Sequence, residues 1–307
     1  GDGEVRAYAH PGYAASLAAF GAPMELPRSG GFLLRRSVPG SDRSDAMGPY
    51  PLFSCTDWRG LAEDLRAIGP GLLSVSLVAD PFGDHGPDQA SLRAAFPDLL
   101  RPFKEHHLAD PLAPHISEHH RRYARFAERR LVLERCEDPS SHLDDWARLY
   151  GELIERHGLR GIKAFSRDAF AAQLALPGVE VFRARAGSEV VGMQLWLVAA
   201  EVAYSHLVAS SARGYALRAA YGLHALALDW FRGRVRWLDI GAGAGSGSGT
   251  GGGEDGLTQF KRGWASATAT AWLCGRIGDA AAYRGLADAP PVEATAYFPA
   301  YRDGELL

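Results

Sequence analysis

Val179-Glu180-Val181-Phe182-Arg183-Ala184-Arg185, then Glu189-Val190-Val191-Gly192-Met193-Gln194-Leu195-Trp196-Leu197-Val198, then Val202-Ala203-Tyr204-Ser205-His206-Leu207-Val208 reads as three consecutive strands. β-branched and aromatic residues dominate each run, and the connections Ala186-Gly187-Ser188 and Ala199-Ala200 are short enough only for adjacent antiparallel pairing. The spacing therefore predicts a meander. Upstream of it, Leu143, Trp146, Leu149, Tyr150 and Leu153 share one helical stripe that stops near Gly158, behind a Ser141-His142-Leu143-Asp144 capping-box pattern, and a shorter helix covers 166–174. Downstream come a nearly all-apolar helix over 217–231, a strand over 235–240, a glycine-rich loop and a last strand over 267–276. A helix pair, a meander, a buried helix and a returning strand predict an α/β (α+β) fold, with a mixed, mainly antiparallel sheet flanked by helices.

The first third of the chain is less regular. A helix is expected from 11 to 20, an extended segment over 31–38, and a Ser-, Pro- and Gly-rich loop over 37–51. A helix over 56–68 leads to a strand over 72–78, and a second extended segment, 98–108, is placed beside that strand. A basic helix over 116–130 and a short strand at 131–134 follow. The expected division is a lobe 1–115 and a domain 116–307, and no internal repeat is visible.

The 307 residues are about twice a usual domain of ~150, enough for two cores. With 47% hydrophobic and 22% charged residues the composition excludes wholesale disorder. The formal charge of -3 lacks the basic excess of a duplex-DNA binder. The apolar run 190–200 contains Gln194 and falls far short of the ~20 residues of a membrane span. Cys55, Cys136 and Cys274 form no CxxC pair, and the N-terminal residues have no basic or apolar leader pattern, so a cytoplasmic protein without a zinc site is expected.

The element order, together with Asp255-Gly256-Leu257-Thr258-Gln259-Phe260-Lys261-Arg262-Gly263-Trp264, resembles the Gcn5-related N-acetyltransferase (GNAT) superfamily, and more closely its FemAB-like branch. Members of that branch carry a Gly-Leu-x-x-Phe-Lys-x-Gly-aromatic segment after the fifth strand, which Gly256 to Trp264 matches, and His119-His120-Arg121-Arg122-Tyr123-Ala124-Arg125 resembles their arginine-rich linking helix. The resemblance covers about 115–285 and implies a degenerate GNAT-like N-terminal lobe. It implies transfer of an acyl or aminoacyl group from an activated donor, acyl-CoA (acetyl-CoA) as co-substrate, to a small-molecule or carrier-bound amine. It also implies that Lys261 stabilises the developing oxyanion or contacts the acceptor, with Phe260 and Trp264 beside it. Arg213-Gly214-Tyr215-Ala216-Leu217-Arg218 stands where GNAT enzymes hold the CoA pyrophosphate on a glycine-rich turn, but it has a single glycine, so Arg213, Gly214 and Arg218 are the donor-phosphate candidates.

An attacking ammonium must lose a proton, which a His or Glu near neutrality takes up. His106 and His107 end the predicted strand 98–108, and alternation puts them on opposite faces. Tyr204 and His206 share a face of the strand that in this fold borders the acyl group, either as packed core residues or as an acid and a base. Asp239 closes the strand 235–240, where it orients an acceptor or caps the glycine loop. His106 and His107 taken with Asp84, His85 and Asp88 match no strong zinc spacing, so no metal is expected. The arginines of 119–130 either cradle phosphates or form a solvated face. Trp237-Leu238-Asp239-Ile240-Gly241-Ala242-Gly243-Ala244-Gly245 also resembles an S-adenosylmethionine methyltransferase loop. The serine- and glycine-rich residues behind it cannot supply the helix that such a loop requires. A non-catalytic GNAT-fold module binding a carrier protein or polyanion is the alternative of a different class.

Overall fold

A computed structural model describes residues 6–82, 87–243, 256–287 and 297–305. In chain order it has α1 (Pro11–Ser16), β1 (Ala22–Glu25), β2 (Phe32–Ser37), β3 (Ser44–Met47), α2 (Leu61–Ile68), β4 (Ser74–Ala79), α3 (Gln89–Ala95), β5 (Leu99–Ala109) and α4 (Glu118–Glu128). There follow β6 (Val132–Cys136), α5 (Leu143–His157), α6 (Arg167–Leu174), β7 (Val179–Ala186), β8 (Glu189–Ala199) and β9 (Val202–Ser210). The chain continues through α7 (Ala212–Ala216), α8 (Ala219–Phe231), β10 (Trp237–Gly241), α9 (Gly256–Arg262), β11 (Ala267–Ile277) and α10 (Ala280–Ala287). Two compact units divide it: Gly1–Ala7 with Lys104–Leu159 and Ser166–Thr270, and Tyr8–Phe103 with Arg160–Phe165 and Ala271–Leu307. The expected boundary near 115 thus falls within the first unit, and the last residues of the chain group with the second.

In the first unit the meander is present as read, with β6, β7, β8 and β9 paired antiparallel in sequence. β8 is buried without a break from Val190 to Leu197, because α8 covers one face and α5 the other, which is why its sequence is an apolar run and not an alternation. On the α8 face Phe182, Trp196, Leu223, Phe231 and Trp264 form the core. There α8 closes on α4 and β6 through Gly222, where a Cβ would lie 2.7 Å from Leu133 and 3.0 Å from Ala127. On the other face Trp146 and Tyr150 of α5 meet Phe170 of α6, with ring centroids 5.5 and 4.9 Å apart. α5 ends on Gly158 in the left-handed region (φ 61°), but Ser141 does not cap it: the hydroxyl donates to the Asp138 carbonyl. β10 pairs parallel with β9 and antiparallel with β5, which is incompatible with the parallel sheet of a methyltransferase.

In the second unit, β1, β2 and β3 pair antiparallel, β3 runs parallel to β4, and β4 pairs antiparallel with β11. Two expectations are corrected here. The segment 37–51 is not all loop: it contains β3, whose Asp45 is buried in an ion pair that local composition does not reveal. Nor does 98–108 lie beside 72–78, since β4 has β3 and β11 as neighbours and β5 pairs with β10; strand adjacency here is set by residues some 200 positions downstream.

Asp45 is held by Arg302, whose Nε and Nη2 donate to the two carboxylate oxygens at 2.7 and 2.8 Å, with both side chains nearly inaccessible. The Tyr301 hydroxyl donates to the same carboxylate at 2.7 Å, and Arg302 also donates to the Ser37 carbonyl. Removing one member of such a pair leaves the other charge buried. Arg302→Met is expected to destabilise the protein by about 3–5 kcal/mol in urea unfolding. The double variant with Asp45→Asn is expected to recover part of that loss, and equal, additive losses would show that the pair is not coupled.

Candidate active site

The parallel ladder between β9 and β10 has only three rungs, Val202–Trp237, Ala203–Leu238 and Tyr204–Asp239. β9 then continues to Ser210 on β8 alone, so beyond Tyr204 its other edge has no strand partner among the described residues. Two strands that run together and then part leave a wedge with unpaired backbone groups on one side.

Asp239 stands at the last rung. Opposite Leu108 in the β10–β5 ladder, it accepts from His106 Nδ1 at 2.9 and 3.0 Å and from the Gly241 amide at 2.8 Å. The side chains of Asp239 and His106 are only 2% and 9% exposed. A carboxylate only accepts, so Nδ1 carries a proton, and in the neutral ring the lone pair is then on Nε2. Nε2 makes no hydrogen bond to a described residue. A bulge follows Asp239, and Gly241 (φ 89°) then faces His107.

The other candidates fall into separate surroundings. Register places Tyr204 beside Asp239 on the sheet face of His106, and His206 two residues further along that face. His206 Nε2 meets Gln173 Oε1 at 2.9 Å, and burial pushes its pKa down to about 3, so it is neutral at physiological pH. Lys261 Nζ donates to the Ala242 carbonyl and lies 3.0 Å from where a Gly241 Cβ would be, so Lys261 and His107 gather at Gly241. Phe260 and Trp264 belong to an aromatic cluster: His224 lies 4.8 Å from Phe260 and stacks on Trp264 at 5.6 Å. Burial also pushes His224 down to about 3. Exposed Arg213 pairs with Glu189 at 2.6 Å, Gly214 is packed against β8, and Arg218 lies over Tyr123 at 4.2 Å. Asp84, His85 and the glycine loop from 244 lie outside the described residues, and Asp88 caps α3 through the Ser91 amide. Among the described residues no His, Cys, Asp and Glu group has the arrangement of a metal site.

His120 was not singled out in the sequence, yet it explains the Phe-Lys-x-Gly-aromatic spacing. Its Nε2 meets the Phe260 carbonyl at 2.7 Å and its Nδ1 the Ser117 hydroxyl at 2.8 Å, while the Ser117 amide donates to the Gly263 carbonyl at 2.9 Å. A Cβ on Gly263 would fall 2.1–2.5 Å from the imidazole. The glycine therefore lets the segment dock on the start of α4.

Residues 114–262 match the family model of the acetyltransferase (GNAT) domain. Among solved structures, the chain is similar to FemX at 14% identity, with 90% of this chain and 93% of that one covered at a TM-score of 0.64. It is also similar to the C-terminal domain of a putative lysylphosphatidylglycerol synthetase from Agrobacterium fabrum (15%, 88% of each chain, TM-score 0.61) and to L-PGS from Bacillus licheniformis (15%, 89% and 92%, TM-score 0.58). No curated protein matches the chain. Residues 114–262 thus match a GNAT domain, and the chain as a whole shares the fold of FemX and of the two synthetase structures.

Two outcomes are expected. Gly263→Ala drives a methyl group into the His120 ring and costs about 1–3 kcal/mol, and the cost shrinks in a His120→Ala background, as a double-mutant cycle in urea measures. His206 and His224 bind a proton readily only when unfolded, where their pKa is ~6.5. Their stabilisation is therefore full above about pH 6.5 and declines as pH falls towards 3, by up to about 1.4 kcal/mol per pH unit for each. Unfolding titrations from pH 7 to 4 should show this slope, reduced in His206→Gln.

Proposed function

We propose that the chain is an N-acyltransferase that moves an acyl group from an activated donor, an acyl-CoA, to an amine by direct attack. The observation that carries this reading is the buried His106–Asp239 pair at the point where β9 and β10 part. Asp239 fixes the ring and its tautomer, leaving Nε2 to accept the proton of the incoming ammonium. The neutral amine then attacks the acyl carbonyl to form the carbon–nitrogen bond, the carbon–sulfur bond breaks, and the nitrogen gives up its second proton as the departing thiolate takes one up, so that amide and free thiol result. A cation at the carbonyl oxygen stabilises the charge that develops there, the role assigned to Lys261. Tyr204, beside Asp239, is the candidate acid for the leaving group. The edge of β9 beyond Tyr204, which has no strand partner among the described residues, supports seating an extended donor along that strand. The acceptor is a small-molecule or carrier-bound amine.

Release of free thiol from acetyl-CoA and longer acyl-CoAs, measured over a panel of amines, tests the reading. His106→Gln, whose amide can still donate to Asp239, is expected to lower kcat about 100-fold, and a melting curve checks that the loss exceeds any fall in the folded fraction. Asp239→Asn is expected to act as strongly, because an amide that donates to Nδ1 turns the tautomer around. No thiol release with any acyl-CoA, together with no thermal shift by them, would overturn the reading in favour of a binding module.

A further inference from the structure

β6 is the end strand of its sheet: it pairs with β7 on one side and has no strand partner on the other among the described residues. Edge strands are ordinarily guarded by free charge, proline or a covering element, because their unpaired amides and carbonyls invite another strand. The two charges of β6 are engaged within its own sheet. Glu134 accepts from Arg183 and Arg185 at 2.7 and 2.6 Å, and Arg135 donates to Glu180 at 2.6 Å. Val132, where the strand begins, is 48% exposed.

β6 also contributes Leu133 to an open cleft of about 580 Å³. The apolar lining is Leu131 and Leu133 on the β6 side and Gly222, Ala225 and Leu226 of α8, whose spacing of three and four puts them on one helix face. Two exposed carboxylates line the same cleft: Asp229, next on that stripe and the one charged residue within α8, and Glu128, the last residue of α4. Each stands in the last turn of its helix, where the dipole favours a cation and disfavours an anion. Neither forms an ion pair among the described residues. The arginines that cap these two helix ends, Arg130 on the Phe126 carbonyl and Arg234 on the Trp230 carbonyl, pair with neither carboxylate. A cation in the cleft would gain from both carboxylates and from both helix ends.

We propose that the free edge of β6 and this cleft dock an extended segment of a partner protein, which adds to β6 as a further strand, lays an apolar side chain against Leu133 and Leu226, and sets a lysine or arginine beside Glu128 and Asp229. The strand edge supplies main-chain hydrogen bonds, and the cleft selects for a basic and apolar side-chain pattern. The proposal does not rest on the acyl-transfer reading.

Random nonapeptides displayed on phage and selected against the full chain, with the Glu128→Gln/Asp229→Asn double variant as counter-target, test the docking. Enrichment of segments that join an apolar residue to a nearby lysine or arginine is expected. The most enriched segment, made as a synthetic peptide and followed by fluorescence polarisation, is expected to bind the parent about tenfold more tightly than the double variant and to weaken as salt is added. Methylating alternate backbone nitrogens of the peptide is expected to abolish binding in one of the two registers, and the bound peptide to slow hydrogen exchange at 132–136. The double variant is not expected to melt earlier than the parent, because an anion at a helix C-terminus contributes no stability there. No enrichment, enrichment that the double variant shares, or binding indifferent to N-methylation in both registers overturns the proposal. So does a dimer in sedimentation whose 132–136 amides are already slow without peptide, for then a second copy occupies the edge.

Discussion

The first unit is organised around a carboxylate that has almost no water. Asp239 needs donors, and it finds them in a side chain of β5 and in the amide of Gly241, two residues on. Satisfying it fixes the register of β10 against β5 and turns the chain out of the sheet through a bulge and a left-handed glycine. The departure of β10 is what ends its ladder with β9, so the wedge and the polarised histidine have one origin. A buried carboxylate needs hydrogen-bond donors, and here one of them is the ring of His106.

Strong local periodicity made much of this legible in the sequence. The meander, the α5 stripe and the apolar α8 follow from residue spacing alone, because each element is buried on a well-defined face. β3 was not legible, because four residues around a buried Asp45 look like loop until Arg302 supplies the partner from the far end of the chain. The position of β5 failed for the same reason: nothing within a window of residues says that β11 takes the place beside β4.

The candidate site was legible by residue type and not by grouping. His106 and Asp239 were each singled out, but on separate grounds, since 133 positions separate them and only the β5–β10 ladder brings them together. Arg213, Gly214 and Arg218 are neighbours in sequence, yet one is paired with Glu189, one is packed on β8 and one lies over an aromatic ring. His120 gave no local sign, because its task is to fill the space that a missing Cβ at Gly263 leaves open.

The second unit takes its residues from three separate stretches, 8–103, 160–165 and 271–307. During vectorial synthesis the ribosome delivers β4 long before its partner β11, and Asp45 long before Arg302. The early half must therefore wait, with an open strand edge and an uncompensated acid, until β11 and Arg302 have been made. The segment 114–262 emerges in between, so completion of the second unit is tied to the arrival of Arg302, after that segment has been made.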